Sequence, residues 1–166
     1  MSELNCGFNN EDRWFRYRAA GIIIEDGCVL FIGSRAENYL YSVGGAVHHG
    51  ETAEDAARRE VFEETGVNYE VDRLAVIHEN FFDESDGTLR GMRCHEICFY
   101  FLMKPRGTRE LGPEGRNSLG FAETRHWIPI AELKKYRAYP EFLADYLARP
   151  HEGIEHIVSD ERPVKE

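Results

Sequence analysis

Residues 44–67 read GGAVHHGETAEDAARREVFEETGV and set Glu60, Glu63 and Glu64 near the end of a segment whose pattern predicts a helix. Thr52 is the expected N-cap, with Asp55 three residues on in a variant of the capping box. Gly66 is the expected residue just past the C-terminus. On a helical wheel Ala53, Ala56 and Ala57 fall within about 60° of Glu60. Glu64 falls about 40° to one side and Glu63 about 60° to the other. The carboxylates therefore continue the alanine stripe, whereas Glu54, Asp55, Arg58 and Phe62 point elsewhere. An alanine stripe lets a helix lie close on a sheet, so these charges end at the rim of a buried face. Unpaired charge there is costly. Like charges four residues apart cost about 0.2–0.5 kcal/mol more, and anions at a helix C-terminus oppose its dipole. A divalent cation answers all three objections. Mg²⁺ and Mn²⁺ prefer oxygen ligands, and Mg²⁺ bridges readily to substrate phosphates.

The whole chain sets limits on what such a site can serve. Its 166 residues suit one domain, 1–166, and 42% hydrophobic residues are enough for a core. A net charge of −10 argues against non-specific binding to nucleic-acid backbones or anionic membranes. A small phosphorylated ligand stays compatible, because bound cations invert the local sign. No apolar run approaches the roughly 20 residues of a membrane span. Residues 1–18 lack the apolar stretch of a signal peptide, so a cytoplasmic protein is expected. Cys6, Cys28, Cys94 and Cys98 form no CxxC pair and read as reduced thiols. Zinc at Cys94 and Cys98 lacks a second ligand pair. The expected state is a monomer or homodimer.

Along the chain, residues 1–12 are polar and read as a flexible N-terminus. Residues 16–35 read as a β-hairpin turning at Asp26-Gly27. Residues 39–47 predict a short strand entering a glycine loop, and residues 69–82 and 92–104 predict strands. Residues 105–123 carry four glycines and two prolines and predict a long loop. A short strand over 124–130 and helices over 130–136 and 140–148 follow, the second opened by Pro140 at its first position. Residues 154–161 end the pattern as a strand or an extended tail. This α/β order lacks regular βαβ alternation, so it predicts a mixed sheet covered by helices.

The box of residues 45–67 resembles the signature of the Nudix hydrolase family. Gly45, Glu51, Arg59, Glu60, Val61, Glu63, Glu64, Gly66 and Val67 occupy every specified position at the required spacing. The resemblance implies an α/β/α sandwich around a mixed sheet. It implies Mg²⁺- or Mn²⁺-dependent hydrolysis of a phosphoanhydride bond in a nucleoside diphosphate derivative or nucleotide, by attack of a metal-activated water. Carried over by residue, Glu60 and Glu64 are the main metal ligands and Glu63 a further ligand or base. The Gly44 carbonyl is a candidate ligand, and Glu51 pairs with Arg59 to orient the helix end. The alternative is a sensor of the same fold that binds a nucleotide without cleaving it. An oxygen-ligand Ca²⁺ module lacks an EF-hand-like loop.

Outside the box three carboxylates compete for an additional role: Glu96 in an aromatic strand, Glu114 in the long loop, and Glu123 after it. Glu96 is also a candidate substrate-binding residue. Arg18 and Arg35 are candidate phosphate holders. Tyr39, Tyr41, Phe81 and Phe82 could stack a base or fill a core. The window about sixteen residues past the box, where some subgroups place a diagnostic proline or tyrosine, reads Phe81 to Glu84 and has neither. The identity of the nucleotide therefore stays open.

Overall fold

In the computed structural model, which describes residues 3–34, 37–85, 87–114 and 122–164, Glu25 faces Cys28 across a two-residue turn. Asp26 and Gly27 take φ of 53° and 71°, the two positive values that a tight hairpin turn demands. They join β3 (Ile24–Glu25) to β4 (Cys28–Ser34). The hairpin is real but short. The preceding strand, β2 (Arg13–Ile22), takes its partners elsewhere.

The remaining elements are β1 (Gly7–Asn10), β5 (Leu40–Ala46), α1 (Ala53–Thr65), β6 (Val71–Asp83), β7 (Arg93–Met103) and β8 (Glu123–Pro129). After them come β9 (Ala138–Tyr139), α2 (Phe142–Leu147) and β10 (Glu155–Asp160). They build one mixed sheet in the order β10-β6-β7-β2-β5-β4-β3, with β1 on β2, β8 on β4 and β9 on β5. β2 is the hub: it runs parallel to β7 over its whole length, from Arg13 opposite Arg93 to Ile22 opposite Leu102. Its first residues pair with β1 and its later ones with β5, so β1 occupies the lane that β5 leaves.

Alternation along β2 sends successive residues to opposite faces. On one face Ala19, Leu30, Ile32 and Val43 pack under Ala56, Ala57 and Val61 of α1. On the other, Ala20, Ile22, Phe31 and Tyr100 pack under Leu143 and Tyr146 of α2. Each buried branched or aromatic side chain contributes roughly 1.5–3 kcal/mol. Two helical layers around a mixed sheet form the expected sandwich.

Four local expectations are corrected. The N-terminal residues are not all loose, because β1 pairs antiparallel with β2 over four residues. Its side chains are all exposed, so it carries no apolar alternation to betray it. Both glycines of the expected loop, Gly44 and Gly45, lie inside β5. The segment Ile130–Lys135 is 3-10 and not α. Helix α2 begins at Phe142, so Pro140 precedes it instead of opening it.

The long loop after β7 is pinned as far as it is described. The Glu25 carboxylate, 1% exposed, accepts the N–H groups of Arg106 (2.5 Å) and Gly107 (2.9 Å) and the Tyr69 hydroxyl (3.3 Å). Trp127 donates its indole N–H to the Arg109 carbonyl at 3.1 Å. Gly112 donates its N–H to the Thr65 carbonyl at 2.8 Å, which ties the loop to the end of α1. The end of that loop, residues 115–121, lies outside the described residues.

Candidate active site

Helix α1 starts and stops where its sequence says. The Thr52 side chain accepts the Asp55 N–H at 3.1 Å, and Gly66 closes the helix at φ 69° with its N–H on the Phe62 carbonyl. The buried face holds Ala56, Ala57, Val61, Glu64 and Thr65, while Phe62 is 48% exposed on the other side. The helix thus delivers its acidic end to the rim of the sheet beside the two glycines of β5.

Arg59 organises that rim. Its Nε and Nη2 grip the two oxygens of Glu51 at 2.9 and 3.0 Å, and Nη2 also donates to the Ala46 carbonyl at 3.0 Å. Its Nη1 reaches Glu60 at 2.7 Å and Glu63 at 3.4 Å. Glu51 in turn accepts the His48 N–H at 3.0 Å. The Arg59 guanidinium is the first cause that holds the Glu51 carboxyl below the ordinary carboxylate range. Glu60 lies flat against Gly45, where a Cβ would run into its carboxylate.

Glu64 is 8% exposed and accepts the Gly44 N–H at 3.0 Å. Burial, and then the negative charge of Glu123, push its carboxyl well above the ordinary range, against the pull of Arg18. Glu123 is itself 5% exposed and pushed up, first by burial. It accepts the Tyr41 hydroxyl at 3.5 Å and feels the charge of Glu60. Expected as a solvated loop carboxylate, it is instead the first residue of β8, turned to the face that α1 covers. Glu63 is the outermost box carboxylate, with 55% of its side chain in solvent. Burial and Glu60 raise it.

The other candidates fall elsewhere. Arg18 is corrected as a phosphate holder: it is 6% exposed and already committed to protein oxygens. Its guanidinium donates to the Ser42 hydroxyl (3.1 Å), the Ser42 carbonyl (2.7 Å) and the Gly44 carbonyl (3.2 Å). The Gly44 carbonyl therefore has one lone pair engaged and one to offer. Arg35 lies outside the described residues. Glu96 is tied to Arg16 on the face opposite α1, and Glu114 is exposed. Cys94 and Cys98 are buried, and burial pushes both thiols up to about 11, which disfavours the thiolates zinc needs. Arg125 was not anticipated. Two residues past Glu123, it donates to the carbonyls of Thr65 (3.5 Å), Gly112 (2.6 Å) and Pro113, and so caps the C-terminus of α1. Only the bare rule that cations favour helix C-termini hinted at it.

The donor set fits a hard divalent cation. Burial and neighbouring carboxylates raise Glu64 and Glu123, and the ligand atoms of Glu60, Glu64 and Glu123 are all oxygen. Among the described residues no three such side chains are already drawn around one point.

The NUDIX domain family matches residues 15–149. A MutT-like protein of Streptomyces ambofaciens is 38% identical over 149 residues, covering 84% of this chain and 84% of its own. Diphosphoinositol polyphosphate phosphohydrolase 2 of Rattus norvegicus is 29% identical over 140 residues, 81% of this chain and 70% of its own. Among solved structures, a MutT protein from Bacillus halodurans shares the fold with a TM-score of 0.66 at 14% identity, covering 88% of this chain and 91% of its own.

Proposed function

This chain belongs to the Nudix hydrolase family, and on that premise we propose that it hydrolyses a phosphoanhydride bond in a nucleoside diphosphate derivative, with Mg²⁺ or Mn²⁺. Two buried carboxylates, Glu64 and Glu123, on the face that α1 covers, with the Glu60 carboxylate against Gly45, support this reading. The name of the rat relative, a diphosphoinositol polyphosphate phosphohydrolase, agrees with anhydride chemistry.

Glu60 and Glu64 would hold the metal, with the free lone pair of the Gly44 carbonyl and Glu123 as supplementary oxygens. The bound cation would supply charge neutralisation for phosphate oxygens and a lowered pKa for coordinated water. Glu63, half in solvent, would serve as a further ligand or accept the proton of the attacking water. Glu51 and Arg59 fix the helix end against β5, so that these oxygens stand still while charge builds on the phosphate. Arg18 holds the Gly44 carbonyl and its charge pulls against the raising of Glu64.

Release of phosphate or nucleotide across a panel of nucleoside diphosphate derivatives, with Mg²⁺, tests the reading. Cleavage of at least one anhydride, abolished by chelation and by Glu64→Gln, is expected. Nucleotide binding without cleavage anywhere in the panel would replace the hydrolase with a sensor.

A further inference from the structure

On the face opposite α1, β2, β7 and β6 present Trp14, Arg16, Glu96 and Phe82 side by side. They continue the row of Ala20 and Tyr100 beyond the cover of α2. The Glu96 side chain is 10% exposed and that of Arg16 37%. Both bonds from Arg16 go to one oxygen: Nε and Nη2 reach Oε2 at 2.7 and 2.5 Å. Among the described residues nothing donates to Glu96 Oε1, and Arg16 Nη1 has no acceptor. Oε1 is not among the buried unpartnered side-chain atoms, so it reaches solvent and is open to a ligand. The Arg16 guanidinium lies 5.1 Å from the Trp14 ring centre, and Phe82 meets that ring edge-on at 6.5 Å. A cavity of about 210 Å³ lies beside Trp14 and Arg16, with Cys6, Phe8, Phe15 and Ala46 among its other walls and without Glu96 or Phe82 in its lining. Ala46 is the residue whose carbonyl holds Arg59.

We propose that these residues form a base-recognition subsite for a purine nucleotide, an inference that rests on the hydrolase reading above. The base lies on Trp14, Glu96 Oε1 accepts an N–H from its edge, and Arg16 Nη1 donates to the neighbouring acceptor. Guanine offers that adjacent pair as N1–H and O6, and adenine as N6–H and N1. A pyrimidine offers a similar edge but covers less of the indole. A sugar or cyclitol has no π-face at all.

The spacing suits the anhydride site. Gly44 stands opposite Ala20, four residues along β2 from Arg16. At about 3.3 Å per residue that is about 13 Å, a distance a nucleoside diphosphate spans. Arg18 fills the ground between: it holds the Gly44 carbonyl at 3.2 Å and Cys98, two residues from Glu96, at 3.7 Å.

Calorimetry on the full chain with GMP, AMP, UMP and CMP tests the subsite without any cleavage. The two tryptophans give two indole N–H resonances. Purine monophosphates should bind more tightly than pyrimidine ones and shift the Trp14 resonance while leaving that of Trp127 in place. Trp14→Ala should weaken purine binding about 5–150-fold, with Trp14→Phe restoring most of it. Glu96→Leu should weaken all four monophosphates and leave the purine preference set by Trp14 in place. Tighter GMP than AMP assigns guanine, and the reverse assigns adenine. Equal affinity for all four, or an unmoved Trp14 resonance at saturation, overturns the subsite. If anhydrides are then still cleaved, the hydrolase reading survives without it. If purines bind at Trp14 and no anhydride is cleaved, the subsite stands and the hydrolase reading falls.

Discussion

Arg59 meets Glu51 fork to fork, Nε to Oε1 at 2.9 Å and Nη2 to Oε2 at 3.0 Å. Both side chains are about four-fifths buried, at 21% and 17% exposure, so the pair is more than a surface ion bridge. Lysine keeps the charge but cannot reproduce the fork. Arg59→Lys should lose about 2 kcal/mol and lower the Tm by about 4–8 °C, as well as reduce the rate. Thermal melting by circular dichroism checks this. An unchanged Tm with lost activity would reassign Arg59 to chemistry alone.

Glu64 is a buried carboxylate kept near other carboxylates, at a cost in the metal-free protein. Glu64→Gln keeps an acceptor for the Gly44 N–H and removes the charge. The variant should melt at or above the wild-type temperature without metal. It should also fail to gain the stability, about 2.7 kcal/mol at a hundred times Kd, that Mn²⁺ or Mg²⁺ gives the wild type. Scanning calorimetry with and without metal separates the two effects. Equal metal-induced shifts in both proteins would remove Glu64 from the ligand set.

Glu63→Gln removes one charge with almost no change of shape. If Glu63 takes the proton of the attacking water, kcat should fall about 10²–10⁴-fold with KM little changed. Steady-state kinetics decide it, and wild-type kcat in this variant would pass the role to Glu123. Glu123→Gln is the matched comparison.

His78, 2% exposed in the α2-side core, has its pKa pulled down to about 4, first by burial. Between pH 6.5 and 4 the unfolded chain takes up a proton that the folded protein refuses. Stability therefore falls as pH falls through that window, and is regained as pH rises. The whole drop is on the order of 3 kcal/mol. His78→Gln can still bond Ser159, the partner of His78 Nε2 at 2.9 Å, and does not titrate. Urea unfolding from pH 4 to 7 should show a shallower slope for the variant. Parallel slopes would show that carboxylates alone set the acid limit.

The parts of this molecule that could be read from sequence are those whose cause is local. Thr52 and Gly66 cap α1 because their own dihedrals and side chains do so. Asp26-Gly27 turns because both residues tolerate positive φ. The pairing of Arg59 with Glu51 came with the family resemblance, and the fork is there at 2.9 and 3.0 Å. The misses depend on partners far along the chain. Strand β1 has exposed side chains throughout and exists because β5 vacates a lane beside β2. Glu123 is buried because β8 lies on β4 and turns it toward Glu64, which no spacing within residues 105–123 reveals. Arg18 looked like a free cation until β5 and β7 closed around it.

The parallel pairing of β2 with β7 joins residues 80 positions apart, Arg13 with Arg93. On the ribosome, β2 is synthesised long before its central neighbour exists. The face that α1 must cover includes Phe101 and Met103 of β7, so the helix cannot settle fully on a nascent chain that ends before them. Assembly of the carboxylate cluster waits longer still, because Glu123 arrives twenty residues after Met103. Sheet closure is therefore a late, non-local event of the kind that makes a chain slow to fold and exposed to chaperones while it waits. Helix α1 is complete in sequence well before it has a site to belong to.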